Sequence, residues 1–206
     1  MNRVAPISET LRVFIALPVP LALKDELRLL QTELRERLPG DTLRWTRPEQ
    51  IHLTLRFVGN VAAAQVGDLT AVTREVCSRF GPFQLRAHGL GFFPRSGSPR
   101  VIWVGVHENA GELPRFKQAI DEAVDRLFGQ AGGEGEKFSG HLTIARARSL
   151  PSRQARVLTG LVEEMRDRAF AGWTGDTAEV VRSQLSAGGS HYSRLAEIEL
   201  MGQGGG

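Results

Sequence analysis

The sequence predicts an α+β protein built from two similar lobes, and two observations lead to this fold class. Short runs typical of β-strands alternate with amphipathic helices along the chain. The order strand, helix, turn, strand occurs twice, and each time it ends in the pattern His-apolar-Thr-apolar. Such a repeat indicates an internal duplication. We therefore expect a bilobal, pseudo-two-fold molecule in which each lobe is a mainly antiparallel sheet flanked by helices, with a cleft between the lobes.

The first half of the repeat covers roughly residues 11–80. Residues 11–17 form a β-rich run that is stopped by prolines, which predicts a strand. Leucines three or four residues apart between positions 21 and 38 predict an amphipathic helix that ends at Pro39 and Gly40. The strand "IHLTLRFVG" follows, and apolar residues spaced along positions 66–80 predict a second helix.

The second half, roughly residues 100–167, repeats this order. The strand "RVIWVGV" precedes an amphipathic helix over 113–127, a Gly-rich loop "GQAGGEGEK", the strand "FSGHLTIAR" and a later helix over 155–165. Val13 lies 39 residues before His52, and Val101 lies 40 residues before His141. Nearly equal spacing of whole units is harder to obtain by chance than two matching tetrapeptides.

The remaining strands are predicted for "FQLRAHGLGFF", between the halves, and for the C-terminal region of about 177–200. No linker-like stretch separates the halves, so we expect a single bilobal catalytic domain over residues 1–206. The glycines at the C-terminus are expected to form a frayed tail.

Composition limits the function classes. The lone Cys77 excludes an intramolecular disulfide and a Cys-based zinc site, and its neighbours predict a buried thiol in a helix. The first ten residues lack the apolar core of a signal peptide, and no apolar run approaches the roughly 18 residues of a membrane span. We expect a cytoplasmic monomer with no membrane partner. A net charge of +3, with Arg far outnumbering Lys, permits a nucleic-acid partner without requiring one.

Side chains alternate across a strand, so His52 and Thr54 share one face, and His141 and Thr143 share another. If the two-fold symmetry brings the strands together, one site holds two imidazoles and two hydroxyls. In-line displacement at phosphorus needs a base on one side and an acid on the other. Imidazole, with a reference pKa near 6.5, serves in either role, and hydroxyls donate hydrogen bonds to phosphate oxygens.

Three segments carry a resemblance to a known family: "RPEQIHLTLRFVG", "SGHLTIAR" and "RSQLSAGGSHYSRL". They resemble the two-histidine phosphoesterases and, more narrowly, the RNA 2′,3′-cyclic phosphodiesterases once described as 2′–5′ RNA ligases. The resemblance covers nearly the whole chain. It implies a metal-independent hydrolase without a cofactor, which opens 2′,3′-cyclic phosphates on RNA termini or nucleotides to leave a 2′-phosphate, and which is able to run in reverse as a 2′–5′ ligase.

The resemblance also implies residue roles. His52 is the expected proton donor to the leaving oxygen, and His141 is the expected acceptor from the attacking water. Thr54, Thr143 and Arg146 are the expected phosphate ligands. Strand parity, however, puts Arg146 on the face opposite His141 unless the strand bulges near position 145.

Arg56 has the same parity as His52, so it is the alternative phosphate ligand on geometry alone. Two other functions stay open. One is a related phosphodiesterase acting on 2′–5′ oligonucleotides or small cyclic phosphates, and the other is a non-catalytic module that binds RNA ends. A zinc site is disfavoured because neither motif carries an acidic residue or Cys at matching positions.

The other candidate residues are given structural interpretations. The remaining histidines have no repeated partner and are expected to be structural or exposed: His88 in a strand, His107 at a strand end and His191 in a loop. Tyr192 is expected to line the cleft or to pack. Packing is favoured over base stacking for Trp45 and Phe57. The segment "GGEGEK" lacks the pattern of a phosphate-binding loop, and no serine-hydrolase elbow is present.

Overall fold

Helices and strands alternate through the chain as the sequence predicts. The computed structural model describes residues 9–38, 40–94, 97–129, 138–147, 149–186 and 189–202. Within these ranges there are nine strands and four α-helices: β1 Thr10–Pro18, α1 Leu21–Arg37, β2 Leu43–Trp45, β3 His52–Ala62, α2 Val66–Cys77, β4 Phe83–Phe93, β5 Val101–His107, α3 Glu112–Phe128, β6 His141–Ala147, α4 Ser152–Glu164, β7 Ala169–Gly175, β8 Thr177–Ser186 and β9 Gly189–Glu199. The α+β class is confirmed.

The described strands form one antiparallel sheet in the order β7-β4-β5-β6-β3-β1-β8-β9, and β2 pairs with β6 beside this path. The two strands that carry the histidines, β3 and β6, lie at its centre. They are joined through the pair Leu53 and Leu142. The two predicted lobes are therefore the two halves of a continuous sheet, which meet where the repeated motifs meet.

The lobes exchange elements, which the sequence repeat does not reveal. Strand β4 follows the first half of the chain but pairs with β5 of the second, and β8 follows the second half but pairs with β1 of the first. Helix α1 contacts β7, whereas α3 contacts β3. Each half of the sheet is thus built from both halves of the chain. This interlacing favours one cooperative unit, and the single catalytic domain over residues 1–206 stays a prediction.

A single layer of apolar side chains fills the space between helices and sheet. Helix α1 buries Leu23, Leu27, Leu30 and Leu34 at helical spacing, because residues three and four apart share one face of a helix. The strands add alternate residues, including Leu53 and Leu142, which are fully buried. Burial of this face against the helices orients the opposite face of β3 and β6 outward.

Some local predictions are confirmed and others are not. Cys77 is buried at the end of α2, as expected, and its burial raises the pKa of the thiol to about 12. The loop predicted for His191 is wrong, because this residue lies in β9 and pairs with Gln184 of β8. Strand β7 is not among the predicted elements, because "AFAGWTG" is rich in small residues and lacks apolar alternation.

Other predicted segments fall outside the described residues. These are the Gly-rich loop before β6, including "GGEGEK", and the C-terminal glycine tail. Among the helices of the described ranges, none is both long and apolar enough to cross a membrane.

Candidate active site

The two His-apolar-Thr motifs lie side by side on neighbouring strands. Leu53 of β3 pairs with Leu142 of β6 in antiparallel register. This register brings one motif's His opposite the other motif's Thr, on the face away from the buried leucines. The histidines and threonines of both motifs are half-buried. The predicted convergence of His52, Thr54, His141 and Thr143 on one face therefore agrees with the observed strand pairing.

Each histidine is held by the same backbone contact. The Nδ1 atom of His52 lies 2.7 Å from the carbonyl oxygen of Gln50, and Nδ1 of His141 lies 2.8 Å from the carbonyl oxygen of Ser139. A carbonyl only accepts hydrogen bonds, so Nδ1–H is the donor in both contacts. The proton on Nδ1 leaves Nε2 of each neutral ring as an acceptor that faces away from its own backbone.

Aromatic rings surround both imidazoles. The ring of His52 stacks on Phe14, with centroids 4.6 Å apart, and meets the edge of Tyr192 at 5.2 Å. The ring of His141 meets the edge of Phe93 at 5.1 Å and lies 6.2 Å from Trp103. These contacts fix the ring planes and keep water from part of each imidazole. Tyr192 thus lines the site, one of the two outcomes that the sequence left open.

Burial lowers the pKa of both histidines, because a charged imidazolium loses hydration. For His52 the pKa falls to about 4; the hydrogen bond to Gln50 opposes the fall, and the positive charges of Lys24 and Arg146 add to it. The pKa of His141 falls for the same first reason, with Arg146 again adding to the effect. Both rings therefore favour the neutral form, and a nearby anion would favour the charged form.

Arg146 reaches the site because β6 bulges. Ile144 and Ala145 are both buried, which breaks the alternation, and the pairing with β5 shifts register at the same point. The extra residue returns Arg146 to the face of His141. The condition stated from strand parity is thereby met. The positive charge of Arg146 lowers the pKa of both histidines.

Arg56, the geometric alternative, points the other way. The pairing of β3 with β1 shifts register between Thr54 and Arg56, so that Arg56 pairs with Ile15 of the core face. Its guanidinium forms ion pairs with two carboxylates of α3, at 2.6 Å to Asp125 and 3.5 Å to Asp121. The expectation that Arg56 shares the face of His52 is wrong, because parity fails across a bulge.

Gln31 of α1 is a site-supporting residue that the sequence interpretation missed. Its side chain is buried, and its Nε2 donates to the carbonyl oxygens of Thr46, at 2.7 Å, and Ile144, at 2.9 Å. The N–H of Thr46 donates to the same Ile144 oxygen. Gln31 therefore holds the bulge that directs Arg146 to the site. A lone amide among the apolar positions of a predicted helix was the signal that pointed to it.

The remaining candidates have distinct environments. Phe57 is 58 % exposed, so it is not a core residue, although its ring packs against Phe14 with centroids 5.7 Å apart. Trp45 packs against the core, as expected, and Arg35 lies over its ring. His88 and His107 contact each other edge to face, with centroids 5.5 Å apart.

Metal-ligating residues do not cluster in the described parts of the chain: no group of three or more His, Cys, Asp or Glu there is placed to hold a metal ion. The zinc alternative therefore gains no set of ligands from these residues.

Comparison with known proteins places the chain among phosphoesterases. The family model described as LigT-like phosphoesterase matches residues 17–103. An RNA 2′,3′-cyclic phosphodiesterase of Aeropyrum pernix is 35% identical over 173 residues, which cover 80% of this chain and 90% of that protein. One of Thermus thermophilus is 30% identical, with 95% of this chain and 93% of that protein covered.

Solved structures agree on the fold. A structure from Thermus thermophilus superposes with a TM-score of 0.78 at 27% identity and covers 93% of this chain and 99% of that one. Escherichia coli LigT in its apo form superposes with a TM-score of 0.72 at 21% identity, over 95% of this chain and 100% of that one. The predicted family and enzyme class are confirmed: the chain belongs to the RNA 2′,3′-cyclic phosphodiesterases, within the LigT-like phosphoesterases.

Proposed function

We propose that this chain hydrolyses 2′,3′-cyclic phosphates at RNA termini to 2′-phosphates by general acid–base catalysis, without a metal ion or cofactor. One observation carries the proposal: two histidines on paired antiparallel strands, each with Nδ1 bonded to a carbonyl two residues earlier, so that Nε2 is available for proton transfer. Such a pair supplies a proton acceptor and a proton donor on opposite sides of one phosphorus atom. The relatives named above are RNA 2′,3′-cyclic phosphodiesterases.

In the proposed reaction, His141 accepts a proton from the attacking water through Nε2. The water oxygen forms a bond to phosphorus while the bond to the 3′-oxygen breaks. His52, in its protonated form, donates the Nε2 proton to that leaving oxygen, which leaves a 3′-hydroxyl and a 2′-phosphate. The negative charge of the bound phosphate raises the pKa of His52 from its value in the free protein, which favours the protonated donor. With an RNA 5′-hydroxyl in place of water, the same steps form a bond from that oxygen to phosphorus while the bond to the 3′-oxygen breaks, which gives a 2′–5′ linkage and a free 3′-hydroxyl.

Three further residues are proposed to bind the phosphate. Thr54 and Thr143 lie on the histidine face, and their hydroxyls are suited to donate hydrogen bonds to the non-bridging oxygens. Arg146 supplies a guanidinium whose charge already acts on both histidines. A preorganised positive charge at the place where negative charge develops is a large contribution to catalysis of this kind.

The test is incubation with a short RNA that ends in a 2′,3′-cyclic phosphate, before and after exhaustive chelation of metals. We expect turnover in both conditions, with the phosphate left on the 2′-oxygen. His52→Ala and His141→Ala should each lower kcat by about 10²–10⁴-fold. His107→Ala, at the exposed end of β5, is the matched control and should keep activity.

Three results would contradict the proposal. Activity that disappears on chelation and returns with zinc would indicate a metal mechanism. Binding of the RNA end without turnover would indicate a binding module, and turnover confined to 2′–5′ oligonucleotides or small cyclic phosphates would indicate a different substrate.

A further inference from the structure

Strand β2 brings a second arginine directly opposite Arg146. In the antiparallel pairing of β2 with β6, Arg44 is the partner of Arg146. Residues that face each other across such a pair project to the same side of the sheet, and like charges in these positions destabilise the pairing. Arg44 and Arg146 lie beside the histidine site, where the bulge of β6 has turned Arg146 outward. A bound anion between the two guanidiniums would remove the repulsion.

A third guanidinium completes the cluster. Arg47 follows β2 and lines the same small cavity as Arg44 and Arg146, together with Thr46 and Tyr192. None of the three arginines forms an ion pair with any carboxylate in the described ranges, and no described Asp or Glu lines the cavity. We call Arg44, Arg47 and Arg146 the arginine cluster.

Eight other arginines of the described ranges form ion pairs with carboxylates. Arg37 pairs with Glu164, at 2.6 Å, and Arg168 pairs with Glu33, at 2.5 Å. Three guanidiniums around one cavity that has no described Asp or Glu in its lining point to an anionic ligand. The cavity has a volume of about 100 Å³, well below the roughly 300–1,000 Å³ of pockets that enclose whole small-molecule ligands. Its size suits a phosphate group that belongs to a larger molecule.

The arginine cluster adjoins the histidine site without coinciding with it. Gln50 and Tyr192 line the cavity of the cluster, and both also line a neighbouring cavity of about 320 Å³ that includes His52. Arg146 is the link, because it belongs to the cluster and its charge acts on both imidazoles. Two phosphates of one strand therefore have adjacent places to bind.

We propose that Arg44 and Arg47, together with Arg146, form a second phosphate subsite, which binds the phosphodiester joining the terminal nucleotide to the rest of the RNA. This inference rests on the proposed function, since it assumes that the cyclic phosphate lies between the histidines. The subsite contacts backbone rather than bases, so it selects oligonucleotides over mononucleotides without reading sequence. It accounts for the opposed arginines, which a mononucleotide-specific enzyme would not need.

The test compares two substrates, a nucleoside 2′,3′-cyclic phosphate and a trinucleotide with the same 3′ end, in the full chain. We expect Arg44→Ala and Arg47→Ala each to lower the ratio of kcat/KM for trinucleotide over mononucleotide by about tenfold, the effect of one charged hydrogen-bonding contact. The dependence of log Kd for the trinucleotide on log salt should also weaken by about 0.7 for each phosphate-binding arginine that is replaced. Arg153→Ala, on the exposed surface of α4, is the matched control.

The outcomes separate the two proposals. A wild-type protein that turns over neither substrate contradicts the proposed function. A wild-type protein that turns over both, with a substrate ratio and salt dependence unaffected in Arg44→Ala and Arg47→Ala, overturns the second subsite alone. Thermal unfolding distinguishes loss of fold: removing Arg44 relieves a like-charge pair, so the Tm of Arg44→Ala should not fall. A lowered Tm together with an unchanged ratio would also count against the subsite.

Discussion

The two histidine strands are alike for four residues and then diverge. Both bulge just after the Thr, as the register shifts of β3 and β6 show. Past the bulge, β3 directs Arg56 toward the helices and leaves Phe57 exposed, whereas β6 buries Ala145 and directs Arg146 to the histidine face. The repeated tetrapeptide thus provides two equivalent imidazoles, and the residues after each bulge make the site polar on one side and apolar on the other.

Duplication and asymmetry therefore arise at different levels of this molecule. The symmetric part, His Nδ1 bonded to the carbonyl two residues earlier, depends on the backbone and recurs in both strands. The asymmetric part depends on which residue occupies the position after the bulge. In the proposed mechanism, acid–base catalysis uses one imidazole on each side of the phosphorus, whereas the charge stabilisation comes from Arg146 on one side.

Exchange of Arg146 and Arg56 for Ala gives the largest expected effects, and the two differ in kind. Arg146→Ala removes the charge stabilisation proposed for the phosphate and should lower kcat/KM by about 10²–10³-fold with little change in Tm. Arg56→Ala leaves Asp125 without its ion-pair partner and leaves Asp121 with Lys117 alone, so it should lower the free energy of unfolding by about 1–3 kcal/mol while kcat/KM stays within about threefold. Steady-state kinetics and urea unfolding of both variants check this. Equal loss of activity in both would contradict the assigned directions.

Gln31→Leu breaks the support of the β6 bulge. The change leaves the carbonyls of Thr46 and Ile144 without their side-chain donor, so the free energy of unfolding should fall by about 1–3 kcal/mol. Because the bulge orients Arg146, kcat/KM should fall by about tenfold as well. The control is Thr73→Val, which removes a buried hydroxyl bonded only within α2, to the Leu69 carbonyl. Thr73→Val should lower stability and leave kcat/KM unchanged. If kcat/KM fell as much in Thr73→Val as in Gln31→Leu, the effect of Gln31 would be one of stability alone.

Sequence periodicity predicted the regular parts of this site and failed at its irregular parts. The shared face of His52 and Thr54 follows from strand alternation, and the pairing of two such strands follows from the repeat. Strand parity predicted Arg56 on the site face and Arg146 on the opposite face. The structure reverses both placements, because one extra residue in a strand moves every later side chain to the other face. The resemblance to a known family predicted that Arg146 faces the site, whereas strand parity alone did not.

Two other features of the fold could not be predicted from local sequence patterns. The exchange of elements between lobes depends on which distant strands pair, and the spacing of a repeat is the same whether or not the lobes interlace. Strand β7 forms because it pairs with β4, for example through Phe83 and Gly175. The sequence of β7 by itself does not favour a strand.

Gly91→Ala tests the aromatic surroundings of His141. The glycine lies beneath the indole of Trp103, and a Cβ added there would overlap the ring. The indole must move, which should cost about 1–3 kcal/mol in stability and lower kcat by several-fold because Trp103 lies beside His141. Gly160→Ala, in α4 with open space around the added carbon, is the control and should stabilise by about 0.5–1 kcal/mol. Unchanged kcat in Gly91→Ala would show that the indole position does not matter to His141.

The pH dependence has the smallest expected effect, and it tests the surroundings of His52 and His141. Because burial lowers the pKa of both histidines, with that of His52 at about 4, each ring in the free protein loses its proton below pH 6.5. The bell-shaped profile of kcat/KM, which reports the free enzyme, should therefore reach its maximum below pH 6.5. The profile of kcat should lie at higher pH, since the phosphate of bound substrate raises both pKa values. Phe14→Ala, which uncovers His52, should raise the pKa of His52 toward 6.5 and move the limb of the kcat/KM profile that reports this ring to higher pH. A maximum of kcat/KM above pH 7.5, or a profile whose limbs Phe14→Ala leaves in place, would mean that burial does not set the pKa of His52.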